Sequence, residues 1–154
     1  MKNYMKLEIP ALSENEPFAR SAVAAFCVRL NPSLDELSDV KTAVSEAVTN
    51  CIVHAYGGSG GMICIECEAE GQTLHIQISD SGKGIEDVAK AVEPFYTTLG
   101  DEERSGMGFT IMQTFMTTFG LRSAPGEGTT VCMSKRFGGP QADEKARGRL
   151  ADAQ

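Results

Sequence analysis

The stretch SEAVTNCIVHAY, from Ser45 to Tyr56, determines how the rest of this chain is interpreted. Glu46, Asn50 and His54 are spaced four residues apart, so on a helix they form one polar stripe. Apolar residues with helical spacing form a second stripe, which consists of Leu34, Leu37, Val40, Val44, Val48, Cys51 and Ala55. A polar stripe opposite an apolar one is most often the solvated face of an amphipathic helix. A Glu and an Asn one turn apart also suit phosphoryl transfer, because a carboxylate accepts a hydroxyl proton and an amide oxygen is a ligand for Mg²⁺.

Local signals outside this stretch predict the remaining helices and strands. Ser-x-x-Glu capping-box patterns at Ser13 and Ser33 indicate two helix starts, and alternating apolar residues indicate strands. A short helix is expected around 86–91 and a polar loop over 94–105. The main elements are helices over 13–30, 33–56 and 109–119, and strands over 5–9, 62–69, 73–79 and 129–137. This order predicts an α/β two-layer sandwich, with helices on one face of a mixed sheet.

The composition indicates one soluble domain. The chain has 154 residues, of which 42% are hydrophobic, and a domain usually has roughly 100 to 200 residues. We expect a folded domain over residues 1–137 and a flexible polar tail over 138–154. The 21 acidic and 14 basic residues give a net charge of −7, which argues against nucleic acid or a membrane as a partner. The N-terminus lacks a secretion signal and the five cysteines form no secreted disulfide framework, so we expect a cytoplasmic protein.

The segment Asp80-Ser81-Gly82-Lys83-Gly84 directly follows a predicted strand. The strand would bring Asp80 to the edge of a cleft, where its carboxylate can accept a hydrogen bond from an exocyclic amine such as that of adenine. The two glycines allow backbone conformations that other residues rarely adopt, and they let a flat ligand approach. The alternative is an ordinary Asp-Ser-Gly turn.

A second glycine segment, Ser105-Gly106-Met107-Gly108-Phe109, opens a predicted helix. Unpaired N–H groups and the helix dipole favour an anion at such a position, and a triphosphate fits this description. The sequence has neither a GxxxxGK[ST] loop nor a GxGxxG fingerprint, so any nucleotide site must be of another kind.

The order of these segments resembles the ATP-binding fold shared by gyrase, histidine-kinase, mismatch-repair and chaperone ATPases. The matching segments are 46–50, 80–84 and 105–109, followed by 126–130 at the entry to the last strand. The resemblance covers about residues 7–137. It implies the histidine-kinase-like ATPase fold.

Within that superfamily, SEAVTNCIVHAY, EPFYTT (Glu93 to Thr98) and ERSGMGFTIMQTFM (Glu103 to Met116) resemble the bacterial anti-sigma factor serine kinases of the sporulation type. This resemblance implies a protein that binds ATP and Mg²⁺ and holds a sigma factor inactive. It also implies phosphorylation of a serine on an anti-anti-sigma protein, and a homodimer. Because the ATP site occupies most of the domain, the substrate would be another protein docked on the surface.

The resemblance also implies roles for individual residues. Glu46 would be the general base for the substrate serine, Asn50 the Mg²⁺ ligand, and Asp80 the acceptor for the adenine amine. The loop 94–105 would be the lid. The other residues expected to bind the nucleotide are Gly82 and Gly84 at the base, Ser105, Gly106, Met107 and Gly108 at the phosphates, and Thr130 beside the adenine.

Two other functions compete with the serine kinase. The first is a nucleotide-dependent binding module without useful catalysis, in which ATP orders the lid for partner capture. The second is the ATP-binding half of a histidine kinase, which is disfavoured because no phosphoacceptor helices precede the domain. His54 is interpreted as a packing residue at a helix end.

Overall fold

The computed structural model describes residues 2–93 and 108–138. Its five strands form one sheet in the order β1-β2-β3-β5-β4. The strands are β1 Asn3–Pro10, β2 Met62–Glu70, β3 Thr73–Asp80, β4 Thr118–Ser123 and β5 Thr129–Arg136. The helices are α1 Asn15–Cys27, α2 Leu34–Asn50, α3 Val88–Ala91 and α4 Gly108–Phe115, with a 3-10 turn Val28–Leu30 after α1 and a π-helical turn Cys51–Ala55 after α2. None of the described helices combines the length and the apolar character that crossing a bilayer requires.

Helices cover one face of the sheet, as the sequence predicted. Apolar side chains alternate with polar ones along the central strands, so β2, β3 and β5 each bury one row of side chains against the helices. The core consists of Ala19, Val23 and Cys27 of α1, Val40, Val44, Ala47 and Val48 of α2, Met112 of α4, and Ile63, Ile65, Leu74, Ile76, Ile78, Val131 and Met133 of the sheet. The predicted two-layer α/β sandwich is confirmed.

The sheet is antiparallel at every described strand pair, whereas the sequence predicted a mixed sheet. The difference comes from β4, which the sequence did not predict, because the last helix was expected to run to residue 119 and to be closed by Gly120. Phe119 lies in that strand opposite Met133. The crossover through α3 and α4 does make β4 parallel to β3, but β5 lies between them and is antiparallel to both.

Only one of the two predicted capping boxes is present. Ser33 caps α2, because its hydroxyl accepts the Glu36 N–H at 3.1 Å and the Glu36 carboxylate accepts the Ser33 N–H at 2.9 Å. The predicted box at Ser13 is wrong: α1 begins after Glu14, without a side-chain cap. The Glu16 carboxylate instead accepts a hydrogen bond from the Ser45 hydroxyl of α2, so it joins two helices rather than starting one.

Glu36 holds two distant points of the chain together. Its side chain is 7% exposed, and Oε1 accepts the Ser33 N–H at the start of α2. Its other oxygen, Oε2, accepts the N–H of Gly138 at 3.1 Å, just beyond the end of β5. One carboxylate therefore fixes the chain after the last strand to the first turn of α2.

A buried ion pair joins β5 to the helix layer. Lys135 points to the core side of the sheet, where its Nζ lies 3.2 Å from Oδ2 of Asp39 on α2. It also donates a hydrogen bond to the carbonyl oxygen of Phe115, the last residue of α4. The two side chains are only 10% and 13% exposed, so little water screens the pair.

Replacing Lys135 by Met is expected to lower the free energy of unfolding by about 3 kcal/mol, because it removes the ammonium group that faces the Asp39 carboxylate in a dry environment. Urea denaturation measures this loss. The matched control is Lys41→Met, which removes an exposed lysine from α2 and should change stability by less than about 0.5 kcal/mol. Equal stabilities of the two variants would contradict a contribution from the ion pair.

Candidate functional site

The structure brings Glu46, Asn50 and Gly108 together. Glu46 and Asn50 project from the same side of α2, and α4 begins at Gly108 beside them. A Cβ placed on Gly108 would lie 3.2 Å from Oε2 of Glu46 and 3.3 Å from Nδ2 of Asn50. A carboxylate and an amide therefore border the N-terminal part of a helix, and the N–H groups and positive dipole end of helix N-termini favour anions.

Part of the predicted phosphate segment lies outside the described residues. This applies to Ser105, Gly106 and Met107, and to the predicted lid over 94–105. Gly108 is the first described residue of α4.

Asp80 is the last residue of β3 and its carboxylate lies on the helix side of the sheet. Oδ1 accepts the backbone N–H of Gly82 at 2.9 Å and that of Thr129 at 3.2 Å. Burial raises the pKa of Asp80, and the donated hydrogen bonds oppose that rise because they stabilise the charged form. Asp80 thus presents a partly desolvated, oriented acceptor.

The glycines after Asp80 permit close backbone packing. A Cβ on Gly82 would overlap the carbonyl oxygen of Ala55, in the π-helical turn. The same oxygen accepts the Lys83 N–H at 3.0 Å. Gly84 has a φ of +74°, and a Cβ there would overlap the carbonyl oxygen of Ala124. The loop over residues 82–84 therefore packs directly between the π-helical turn after α2 and the turn that precedes β5.

Gly84→Ala is expected to destabilise the protein by more than about 2 kcal/mol, since it combines a left-handed backbone with a steric overlap. Thermal or urea unfolding measures the loss. Gly126→Ala is a matched control, because Gly126 has a φ of +76° and no atom within 4 Å of an added Cβ. Gly126→Ala should lower the free energy of unfolding by only about 1 kcal/mol, which is the cost of a left-handed backbone for alanine. If the two variants lose equal stability, the overlap with Ala124 does not contribute to the free energy of unfolding.

Comparison with known proteins decides the family. A family model described as the histidine kinase-like ATPase domain matches residues 9–135. The chain is 52% identical over 136 residues to the anti-sigma F factor of Thermoanaerobacter sp. (strain X514), a match that covers 88% of this chain and 95% of that relative. It is 54% identical over 137 residues to the anti-sigma F factor of Clostridium botulinum (strain Eklund 17B / Type B), covering 88% and 96%. The chain belongs to the anti-sigma F factor family of histidine kinase-like ATPase domains.

Two solved structures resemble the fold of this anti-sigma F family member. The RsbU and RsbW domains of Rv1364c from Mycobacterium tuberculosis align with a TM-score of 0.64 and 15% identity, over 88% of this chain and 32% of that one. The catalytic domain of the histidine kinase ThkA aligns with a TM-score of 0.53 and 15% identity, over 88% and 96%. At this identity the likeness concerns the fold alone, and it confirms the predicted histidine-kinase-like ATPase fold.

One predicted site residue of this family member lies on the other face of the sheet. Thr130 is paired with Ser79, and its hydroxyl contacts the Ser79 hydroxyl at 3.4 Å, on the face without helices. Thr129 is the residue opposite Asp80 and on its side of the sheet. Thr130 therefore does not share the sheet face of the Asp80 carboxylate, beside which the base is predicted to bind. The alternation of Thr129 with the buried Val131 and Met133 is the signal that shows which face each threonine occupies.

Sequence reasoning also missed two hydroxyl groups that support the glycine loop. The Tyr56 hydroxyl accepts the Ser81 N–H at 2.7 Å and donates to the carbonyl oxygen of Met62 at 2.6 Å. The Ser123 hydroxyl accepts the Ile85 N–H at 2.8 Å and also lies 2.8 Å from the Gly128 carbonyl oxygen. Ser123 belongs to β4, the strand that the sequence did not predict, so no local signal pointed to it.

The carboxylates and thiols of the described residues do not form a metal site by themselves. No group of three His, Cys, Asp or Glu side chains is placed to hold a metal ion within residues 2–93 and 108–138. Mg²⁺ keeps several waters and uses few protein ligands beside a phosphate, so a single amide oxygen such as that of Asn50 is a suitable protein ligand for it.

Proposed function

We propose that this chain is a cytoplasmic anti-sigma factor and ATP-dependent protein serine kinase, which transfers the γ-phosphate of ATP to a serine of an anti-anti-sigma protein. The observation that carries the proposal is the meeting of Glu46 and Asn50 with the first residue of α4. This arrangement supports the proposal, because a carboxylate can accept a proton, an amide oxygen can bind a cation, and a helix N-terminus favours an anion.

Glu46 is proposed to act as the general base. Its carboxylate accepts the proton of the substrate serine while the serine oxygen forms a bond to the γ-phosphorus. The bond from that phosphorus to the oxygen bridging it to the β-phosphate breaks, and ADP leaves with the bonding electrons. The site supplies mainly position and charge, because the loose transition state requires little covalent participation by the protein.

Asn50 is proposed to hold Mg²⁺. Its amide oxygen would contribute one neutral oxygen ligand, and phosphate oxygens and water would supply most of the others. When bound, Mg²⁺ would neutralise charge on the phosphate oxygens. Backbone N–H groups at the start of α4 would bind the phosphates, which requires few basic side chains in a chain with a net charge of −7.

Asp80 is proposed to recognise the base. Its carboxylate ends β3 and already accepts backbone N–H groups from Gly82 and Thr129, so its orientation is fixed before a ligand binds. An acceptor held in this way favours adenine, whose exocyclic amine donates a hydrogen bond, over guanine, which has a carbonyl oxygen at that position.

The partners are proposed from the relatives, which are named anti-sigma F factors and match nearly their whole length. We propose a sigma factor and an anti-anti-sigma protein as partners, and a homodimer as the assembly. The sheet face without helices is available for such contacts. It contains a shallow depression of about 840 Å³ and carries Tyr4, which is 75% exposed.

The deciding experiment incubates the protein with γ-labelled ATP, Mg²⁺ and an anti-anti-sigma protein, and follows label on a serine of the partner. A parallel pull-down with a sigma factor is done with ATP, with ADP and without nucleotide. Transfer of label to the serine supports the kinase. Sigma capture without any transfer would indicate a nucleotide-dependent binding module, and label on a histidine of the chain itself would indicate a histidine kinase.

A further inference from the structure

Helices α2 and α4 are brought together at two places. At one of them, Gly108 at the start of α4 lies beside Glu46 of α2. At the other, Lys135 of β5 links the last residue of α4 to α2. Its Nζ donates a hydrogen bond to the Phe115 carbonyl oxygen and lies 3.2 Å from Oδ2 of Asp39. The two helices therefore run antiparallel between the candidate site and this buried ion pair.

The two places are equally far apart on both helices. Glu46 follows Asp39 by seven residues on α2, and Phe115 follows Gly108 by seven residues on α4. Seven residues span about 10.5 Å of helix and return to the same side within about 20°. The link through Lys135 at one end is thus in register with the meeting of Glu46 and Gly108 at the other.

The end of α4 is also attached to β5 on either side of Lys135. The carbonyl oxygen of Ser134 accepts the Thr117 N–H at 2.8 Å. The N–H of Arg136 donates to the Thr117 hydroxyl at 3.0 Å. These two bonds fix the end of α4 to the sheet, and Lys135 adds the connection from that end to α2.

A charged side chain suits this position because its contacts depend strongly on geometry. A buried ion pair is often no more stabilising than apolar residues of the same volume, and its best-attested role is to fix the register between packed elements. Apolar side chains tolerate a small sliding of one helix along another. The Lys135 ammonium group has to reach two oxygen atoms on two different helices, and both side chains of the ion pair are nearly buried.

We propose that Lys135 is a positioning residue for the phosphates of a bound nucleotide. By joining Phe115 to Asp39, it fixes where the start of α4 lies relative to Glu46 and Asn50, two helical turns away. This inference rests on the proposed nucleotide site. Lys135 would not contact the nucleotide, and its effect would be on the phosphate end of the ligand rather than on the base.

The test measures the affinities of ATP and adenosine by titration calorimetry. Adenosine has the base but no phosphate, so its affinity does not depend on the start of α4. In Lys135→Met, ATP affinity is expected to fall about tenfold because the helix start is displaced, while adenosine affinity changes by less than about twofold. Lys135→Arg keeps a charged donor and should retain ATP affinity within about threefold.

A matched control separates positioning from stability. Ile65 is fully buried in β2, which β3 separates from β5. Ile65→Ala leaves a cavity in the core and destabilises the fold, but it changes no atom of Lys135, Asp39 or α4. This variant should bind ATP and adenosine like the unchanged protein. Thermal unfolding of each variant identifies a temperature at which all of them are folded, and the titrations are done there.

Unchanged ATP affinity in Lys135→Met would overturn the inference, and so would equal losses for ATP and adenosine. An equal loss of ATP affinity in Ile65→Ala would overturn it too, since reduced stability would then explain the effect. If Lys135→Met does not fold, Asp39→Asn provides the comparison, because it removes only the negative charge of the pair. ATP affinity should then fall at least about threefold with adenosine affinity unchanged. An unchanged protein that binds neither ligand would instead show that the proposed nucleotide site is wrong.

Discussion

Glu46→Ala is expected to lower the rate of phosphate transfer to the partner serine by about 10³-fold, while the dissociation constant for ATP changes by less than about threefold. Glu46 borders the start of α4, where its carboxylate can reach a serine hydroxyl that approaches the phosphate. Removing it takes away the proton acceptor but none of the N–H groups or the Asn50 amide. Single-turnover transfer of label and calorimetric titration with ATP measure the two quantities separately.

Two further variants test whether the loss of transfer is due to the missing base. Glu46→Gln keeps the size of the side chain but cannot accept the proton as a base, so it should be nearly as slow as the alanine variant. Asp35→Ala removes an exposed carboxylate from the first turn of α2 and should transfer phosphate at the normal rate. A Glu46→Ala protein that loses ATP binding together with transfer would show that Glu46 binds nucleotide rather than acting as the base.

Asp80→Asn is expected to weaken ATP binding by at least about 100-fold, the second large effect. The Asp80 carboxylate is an acceptor only, whereas an asparagine must direct either its oxygen or its NH₂ group at each neighbour. With the N–H groups of Gly82 and Thr129 both bound to Oδ1, the amide oxygen is drawn to that side. The NH₂ group is then left to face the amine of the base. Fluorescence or calorimetric titration with ATP measures the loss.

The specificity of this effect can be checked with one control on the protein and one on the ligand. Asp87→Asn changes a carboxylate that caps α3, where Oδ1 accepts the Lys90 N–H at 3.0 Å, and it should leave ATP affinity unchanged. The loss in Asp80→Asn should be much smaller for purine riboside triphosphate, which has no amine to repel. Normal ATP affinity in Asp80→Asn would exclude Asp80 as the base acceptor.

The parts of the fold that the sequence predicted well are those specified by local signals. The Ser33 box, the apolar stripe of α2 and the alternation of β2 and β3 each depend on neighbouring residues, and the structure has these elements. Asp80 at the end of a strand could also be placed from its own neighbourhood. The approach of Gly108 to Glu46 could not be derived from spacing, because it depends on how α2 and α4 pack.

The errors have identifiable physical causes. Residues 109–119 have apolar side chains at helical spacing, but α4 ends at Phe115 and the chain continues as an edge strand. Phe119 and Leu121 also fit the alternation of a strand, so the local pattern was ambiguous and pairing with β5 decided it.

The two hydrogen bonds that the Glu36 carboxylate accepts, from Ser33 and from Gly138, have a practical consequence for immobilising this protein. Because the N–H of Gly138 is bonded to Glu36, a tether attached directly to Gly138 begins at the first turn of α2. Asn50 lies fourteen residues after Glu36 along the same helix, about 21 Å away at 1.5 Å per residue. A protein that ends at Gly138 and is attached to a sensor chip or resin through that residue should therefore keep the proposed nucleotide site accessible, with the same ATP affinity as the free protein.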